Sequence, residues 1–158
     1  MAGTEHLVAD VEVHFAVPPS FAASWLTDFR PDDGKRWFDF RDEATVSRTS
    51  TGFRIETTMS IGRSSNEVTI ESPTHWTSRG QFFNRKGKPF HVTRLDETVA
   101  PDNGGTRHRL QMWVTPQTVR ARISLLYGRR FAVQSLREGF SRMKEAMERE
   151  YSQSTQTA

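Results

Sequence analysis

The chain of 158 residues contains no cysteine, so disulfide bridges and thiolate metal sites are excluded and redox chemistry does not constrain its compartment. Long apolar runs are missing too. The best short one, Ile123–Tyr127, falls far below the ~20 residues of a membrane-spanning helix. Met1–His6 lacks the basic-then-apolar order of a secretory signal, and a cytoplasmic protein is the expectation. No His-Glu-x-x-His or paired histidine spacing occurs among His6, His14, His75, His91 and His108. Neither a Gly-x-Gly-x-x-Gly run, a Gly-Lys-Ser/Thr phosphate loop nor a nucleophile elbow is present. No metal and no cofactor are therefore expected.

Charge of one sign is not segregated over most of the chain. The net charge is +3, and acidic residues are interspersed among the basic ones. The local exceptions are Arg85-Lys86-Gly87-Lys88, and Arg120, Arg122, Arg129 and Arg130. Of the aromatics, Tyr127 alone falls within these clusters, which argues against single-strand nucleic-acid binding. With 35% hydrophobic and 26% charged residues, the composition is that of a soluble globular domain. The length suits one domain, placed at residues 5–151, with 1–4 and 152–158 as frayed ends.

What is present is a string of alternating segments closed by one long helical pattern. In Leu7–Val17, Val11, Val13, Phe15 and Val17 alternate with polar or small residues, a half-buried strand. Pro18-Pro19-Ser20 stops it and starts a helix carrying Phe21, Trp25, Leu26 and Phe29. A short turn holding Trp37, Phe38 and Phe40 follows. Further strands are predicted at 44–49, 53–61, 66–71, 76–83, 90–99 and 106–115. Between them lie the turn signals Ser50-Thr51-Gly52, Gly62–Ser65, Ser72-Pro73-Thr74, Asn84–Pro89 and Asp102-Asn103-Gly104-Gly105. From Arg129 to Tyr151, Ala132, Leu136, Phe140, Met143, Met147 and Tyr151 form one helical stripe. Such a helix, about 34 Å long, needs an equally long apolar partner, and an antiparallel sheet is the one on offer. The fold class is α+β.

Four passages in this order resemble the START and birch-pollen-allergen-like (SRPBCC) superfamily, toward its polyketide cyclase/dehydrase-like branch. Phe15-Ala16-Val17-Pro18-Pro19-Ser20-Phe21 with Trp25-Leu26-Thr27-Asp28-Phe29 is similar to that family's strand-to-helix segment. Glu71–Gly80 is similar to its proline-bounded passage between middle strands. Gly104-Gly105-Thr106-Arg107 is similar to its entry to the last strand, and Phe140–Glu148 to its closing helix. The resemblance spans roughly residues 7 to 151. It implies a helix-grip fold: a seven-stranded antiparallel sheet wrapped around the C-terminal helix, with two short helices after the first strand. It also implies an internal cavity that is apolar with a few polar groups.

Placing the alternation on that frame selects the residues expected to face the cavity. From the strands these are Ile55, Thr57, Met59, Ile70, Ser78, Phe82, His108 and Met112; from the helix, Ser135, Gly139 and Phe140. Ser78, Gly80, Ser135 and Gly139 are small, so they either leave volume or let backbones approach, Gly139 against the sheet in particular. Buried Thr57 and Ser78 are read first as groups satisfied by backbone. Trp37, in a loop rich in Asp, Gly, Lys and Arg, is the candidate gate. His108 is the one candidate for acid–base chemistry, and it needs a carboxylate to orient it. Asp96 or Glu97 could serve, and the sequence does not fix the strand register between them.

Two functions follow: a carrier or sensor for a small, largely apolar molecule, or a polyketide cyclase/dehydrase-like enzyme using the same cavity. A third is docking to an acidic partner. The partner expected is a small hydrophobic molecule and not DNA, with membrane contact peripheral at most, in a monomer or homodimer.

Overall fold

The computed structural model describes residues 3–38 and 42–156. Met1, Ala2, Phe40, Thr157 and Ala158 lie outside the described residues. The order is β1 (His6–Phe15), α1 (Pro19–Leu26), α2 (Asp33–Phe38), β2 (Thr45–Arg48), β3 (Gly52–Met59), β4 (Gly62–Ser72), β5 (His75–Asn84), β6 (Pro89–Asp102), β7 (Gly105–Pro116) and α3 (Val119–Gln156). The strands form one seven-stranded antiparallel sheet in the order β1-β7-β6-β5-β4-β3-β2. Short turns dictate neighbour pairing from β2 to β7, and β1 closes onto β7 across the helical excursion.

Turn chemistry sets the register. Asn103 (φ 45°) and Gly104 (φ 76°) both take the left-handed conformation that a two-residue hairpin requires. That turn pairs Asp102 with Gly105 and carries the ladder to His91 opposite Pro116. The β3–β4 turn falls earlier than the sequence suggested. Strand β3 ends at Met59, Gly62 already pairs with it, and Ile61 becomes an exposed turn residue.

The last helix departs most from expectation. It starts at Val119 rather than near Arg129, because Thr118 caps it: the Ala121 N–H donates to Thr118 Oγ1 at 3.0 Å. Ser152–Gln156, expected to fray, continue it. At about 1.5 Å per residue, its 38 residues span roughly 57 Å.

Two packed layers fill part of the space between sheet and helix. One joins Phe15, Val17, Ala22, Trp25, Trp37, Val68, Trp76, Val99 and Met147 beneath the C-terminal half of α3. The next joins Ala9, Val11, Leu110 and Phe140, with Leu95, Met112, Val133 and Leu136 against it. Polar ties fix the same half of the helix. Glu148 accepts from the Ala16 N–H at 2.7 Å, and Glu150 from Trp25 Nε1 at 2.9 Å. The two arginines Arg30 and Arg36 also approach Glu150, each at 3.8 Å.

Candidate functional site

Beyond the second layer, toward the start of α3, the interior is open. A cavity of about 530 Å³ lies between the sheet and the first turns of the helix. The strands contribute Val8, Phe82, Phe90, Met112 and Val114 as apolar wall, with Ile61 at the β3–β4 turn. The helix contributes Ala121, Leu125, Gly128 and Ala132, spaced four, three and four residues apart and so on one face. A Cβ built at Gly128 meets no atom within 4 Å, as expected of a residue bordering empty space. Near Val8, a register shift between Leu7 and Ala9 interrupts the pairing of β1 with β7.

Polar groups are few: Asn84, His91, Thr93, Ser124 and Arg129. The His91 ring stacks on Phe82, with centroids 4.9 Å apart and planes 15° apart. Burial without a carboxylate partner holds its pKa below the usual value near 6.5, so the ring is neutral at physiological pH. A neutral imidazole offers one donor and one acceptor, which suits a hydroxyl or carbonyl better than a charged ligand.

The sequence-derived site residues divide sharply over this geometry. Phe82 and Met112 line the cavity. Ile55 and Ile70 pack against the first core layer, and Phe140 belongs to the second. Thr57 borders a small depression with Ser64 and Ser65, and Met59 a surface groove near Arg85. Ser78 is buried opposite Val68, and Ser135 is half-buried on α3. The volume released by Gly80 is taken by the Asn66 amide, which a side chain there would overlap.

Trp37 is not a gate on this cavity. It is 6% exposed, its ring lies 5.3 Å from that of Trp25, and Arg36 caps it at 4.5 Å. Gly139 approaches α2 rather than the sheet: a Cβ there would stand 2.5 Å from the Phe38 ring and 3.1 Å from the Trp37 carbonyl oxygen. Helix α2 is therefore seated directly on α3, which turned an apparent loop aromatic into core.

His108 finds its orienting carboxylate but not the cavity. It sits opposite Val99, and Glu97 is the diagonal neighbour on the same face of β6, so His108 Nε2 donates to Glu97 Oε2 at 2.9 Å. Asp96 points to the other face, where His75 Nε2 lies 3.1 Å away. The imidazole has no exposure and is boxed by Phe15 (6.1 Å), Trp76 (6.0 Å) and Phe140 (5.2 Å). Its Nδ1 is buried without a partner. Leu110 and Phe140 stand in the layer next to the cavity. Among the described residues, no group of three His, Asp or Glu side chains is placed to hold a metal ion.

Sequence reasoning missed the helical wall of the cavity. A signal existed in Thr118 as a cap two residues past Pro116 and in the spacing of Ala121, Leu125, Gly128 and Ala132. Alanine and glycine add little to an apolar stripe, and Ile123, Leu126 and Tyr127 on the opposite face blur it further.

No protein-family model and no curated protein matches this chain. Solved structures do. The di-domain ARO/CYC StfQ from the steffimycin biosynthetic pathway aligns with a TM-score of 0.68 at 12% identity, over 92% of this chain and 52% of that one. An uncharacterized protein from Rhizobium leguminosarum gives 0.66 at 12% identity, covering 93% and 97%. Ara h 8.0201 gives 0.61 at 9% identity, covering 91% and 98%. The chain shares the helix-grip fold of these structures, a seven-stranded antiparallel sheet closed by a long C-terminal helix. At such identities the likeness carries architecture, and function has to be argued from the site.

Proposed function

We propose that this protein binds a small, largely apolar molecule in the cavity between the sheet and the first turns of α3, as a carrier or sensor. The observation that carries this reading is the cavity of about 530 Å³ walled by Phe82, Phe90, Met112, Val114 and Leu125. That volume lies within the ~300–1,000 Å³ of small-molecule sites, and the apolar wall with a few polar points matches their usual chemistry. His91 and Thr93 supply hydrogen bonds to a ligand hydroxyl or carbonyl, and Arg129 supplies a positive charge to one bearing a carboxylate or sulfonate.

The test is Ala132→Met, which keeps a good helix former and pushes bulk into the hollow. Anilinonaphthalene sulfonate fluorescence should rise on adding wild-type protein and drop at least tenfold in affinity for the variant, with the melting temperature held. Native mass spectrometry of protein purified from its host should show a retained small molecule. Equal dye affinity in both proteins, with no retained mass, would remove the reading.

The second reading is a cyclase/dehydrase-like enzyme, favoured by the His108–Glu97 pair with its free Nδ1. A base so oriented can take a proton, but it requires the Phe15, Trp76 and Phe140 box to open before substrate reaches it. The binding reading ranks first because it requires no such rearrangement.

A further inference from the structure

The outward face of the helix that walls the cavity is apolar where a solvated helix should be polar. Val119, Ile123, Leu126, Tyr127 and Phe131 are 70%, 52%, 80%, 83% and 76% exposed. Val119, Ile123, Leu126 and Tyr127 lie on the side of α3 opposite Ala121, Leu125, Gly128 and Ala132, with Phe131 a quarter-turn from that row, and the sheet leaves all five uncovered. Isolated exposed apolar residues are ordinary; a stripe of them along more than three turns marks an interaction surface.

The charges around this stripe identify what covers it. Arg120, Arg122, Arg129, Arg130 and Arg137 are all exposed, and from Asn103 to Arg137 the chain has no Asp or Glu. Among the described residues none of these five arginines forms an ion pair, whereas Arg30, Arg54, Arg94 and Arg109 all do. Arg122 and Arg129 stand on one flank of the stripe, and Arg120 and Arg130 lie within it. The β5–β6 turn brings Arg85, Lys86 and Lys88 to the same end of the sheet: its Asn84 lines the cavity, and Arg85 donates to the Ser60 carbonyl beside Ile61. A second copy of the chain on this face would oppose arginine to arginine with no carboxylate in the segment to answer it.

We propose that this end of the molecule docks on an anionic lipid bilayer, with residues 119–131 lying in the interface plane. Leu126, Tyr127 and Phe131 enter the acyl boundary, and the flanking arginines pair with headgroup phosphates and carboxylates. The cavity then opens beside the membrane surface, since Ile61 and Arg129 belong both to its wall and to this exposed end. The docking stands whether or not the cavity takes a ligand.

Flotation of the full chain with vesicles tests it. Phosphatidylcholine vesicles containing phosphatidylserine should carry the protein up the gradient at low salt, and phosphatidylcholine alone should not. Replacing Arg122 and Arg130 with Gln should weaken partitioning roughly fivefold per arginine and flatten its salt dependence. Leu126→Ser with Phe131→Ser should weaken it at every salt concentration. These exposed substitutions should leave the circular dichroism and melting temperature unchanged, which separates lost docking from lost folding. Absence of binding to the anionic vesicles would overturn the proposal. So would a sedimentation-velocity dimer abolished by Leu126→Ser, which would make the stripe an interface between copies.

Discussion

One helix covers both ends of the protein's interior, and the side chains it offers make those ends opposite in kind. Its C-terminal half presents Met143 and Met147 to Trp25, Trp37 and Trp76, sets Phe140 on Ala9, Val11 and Leu110, and is tied down by Glu148 and Glu150. Its N-terminal half presents Ala121, Gly128 and Ala132 to Phe82, Phe90 and Met112 and leaves a hollow. The two helical glycines condense the difference: a methyl at Gly139 would collide with Phe38, and one at Gly128 would touch nothing. The close-packed end supplies the stability that lets the other remain open, because the open end forgoes contact with the atoms that would fill it.

The largest effect belongs to the packed end. Trp37→Ala should cost about 4 kcal/mol of unfolding free energy by denaturant titration and leave dye binding unchanged. A stable variant with weakened dye binding would return Trp37 to the role of gate. His108→Ala, which empties the aromatic box and strands Glu97, should cost about 3 kcal/mol. A variant of unchanged stability would mean that the pair is held for chemistry and not for packing.

The glycines give a smaller but more pointed pair. Gly139→Ala should destabilise by about 1–2 kcal/mol, because Phe38 must move. Gly128→Ala should stabilise by up to about 1 kcal/mol, because helix propensity improves with no clash. Thermal melts showing the same sign for both would erase the contrast between the two ends.

Titration gives the smallest effect. The folded state holds His91 below its usual pKa near 6.5, so the unfolded chain takes up the proton first as the pH falls. Stability linked to His91 is complete above that value and declines on acidification toward the depressed one. His91→Gln should flatten this part of the stability–pH curve; an unchanged slope would place the titrating group elsewhere.

How far the sequence could be read follows the same division. The strand alternation, the Asn103-Gly104 turn and the Phe140–Met147 stripe are strong signals because large apolar side chains at fixed spacing have few alternative explanations. They lead to seven antiparallel strands in chain order, the closing helix and His108 on the apolar face of the last strand. The hollow leaves little trace in the sequence because it is written in small residues, which mark volume by what they omit. The carboxylate partner of His108 was undecidable between Asp96 and Glu97, since adjacent strand residues face opposite ways and only the paired register chooses. Trp37 reads as a loop aromatic because its polar neighbours in sequence hide the two helices it joins in space.

Xenon-pressurised crystals measure the hollow directly, since apolar cavities take up the gas. The account predicts bound xenon among Phe82, Met112 and Leu125 and none beside Trp37 or Met147. A crystal in which side chains fill the space under Ala121 and Ala132, with no xenon there, would contradict it.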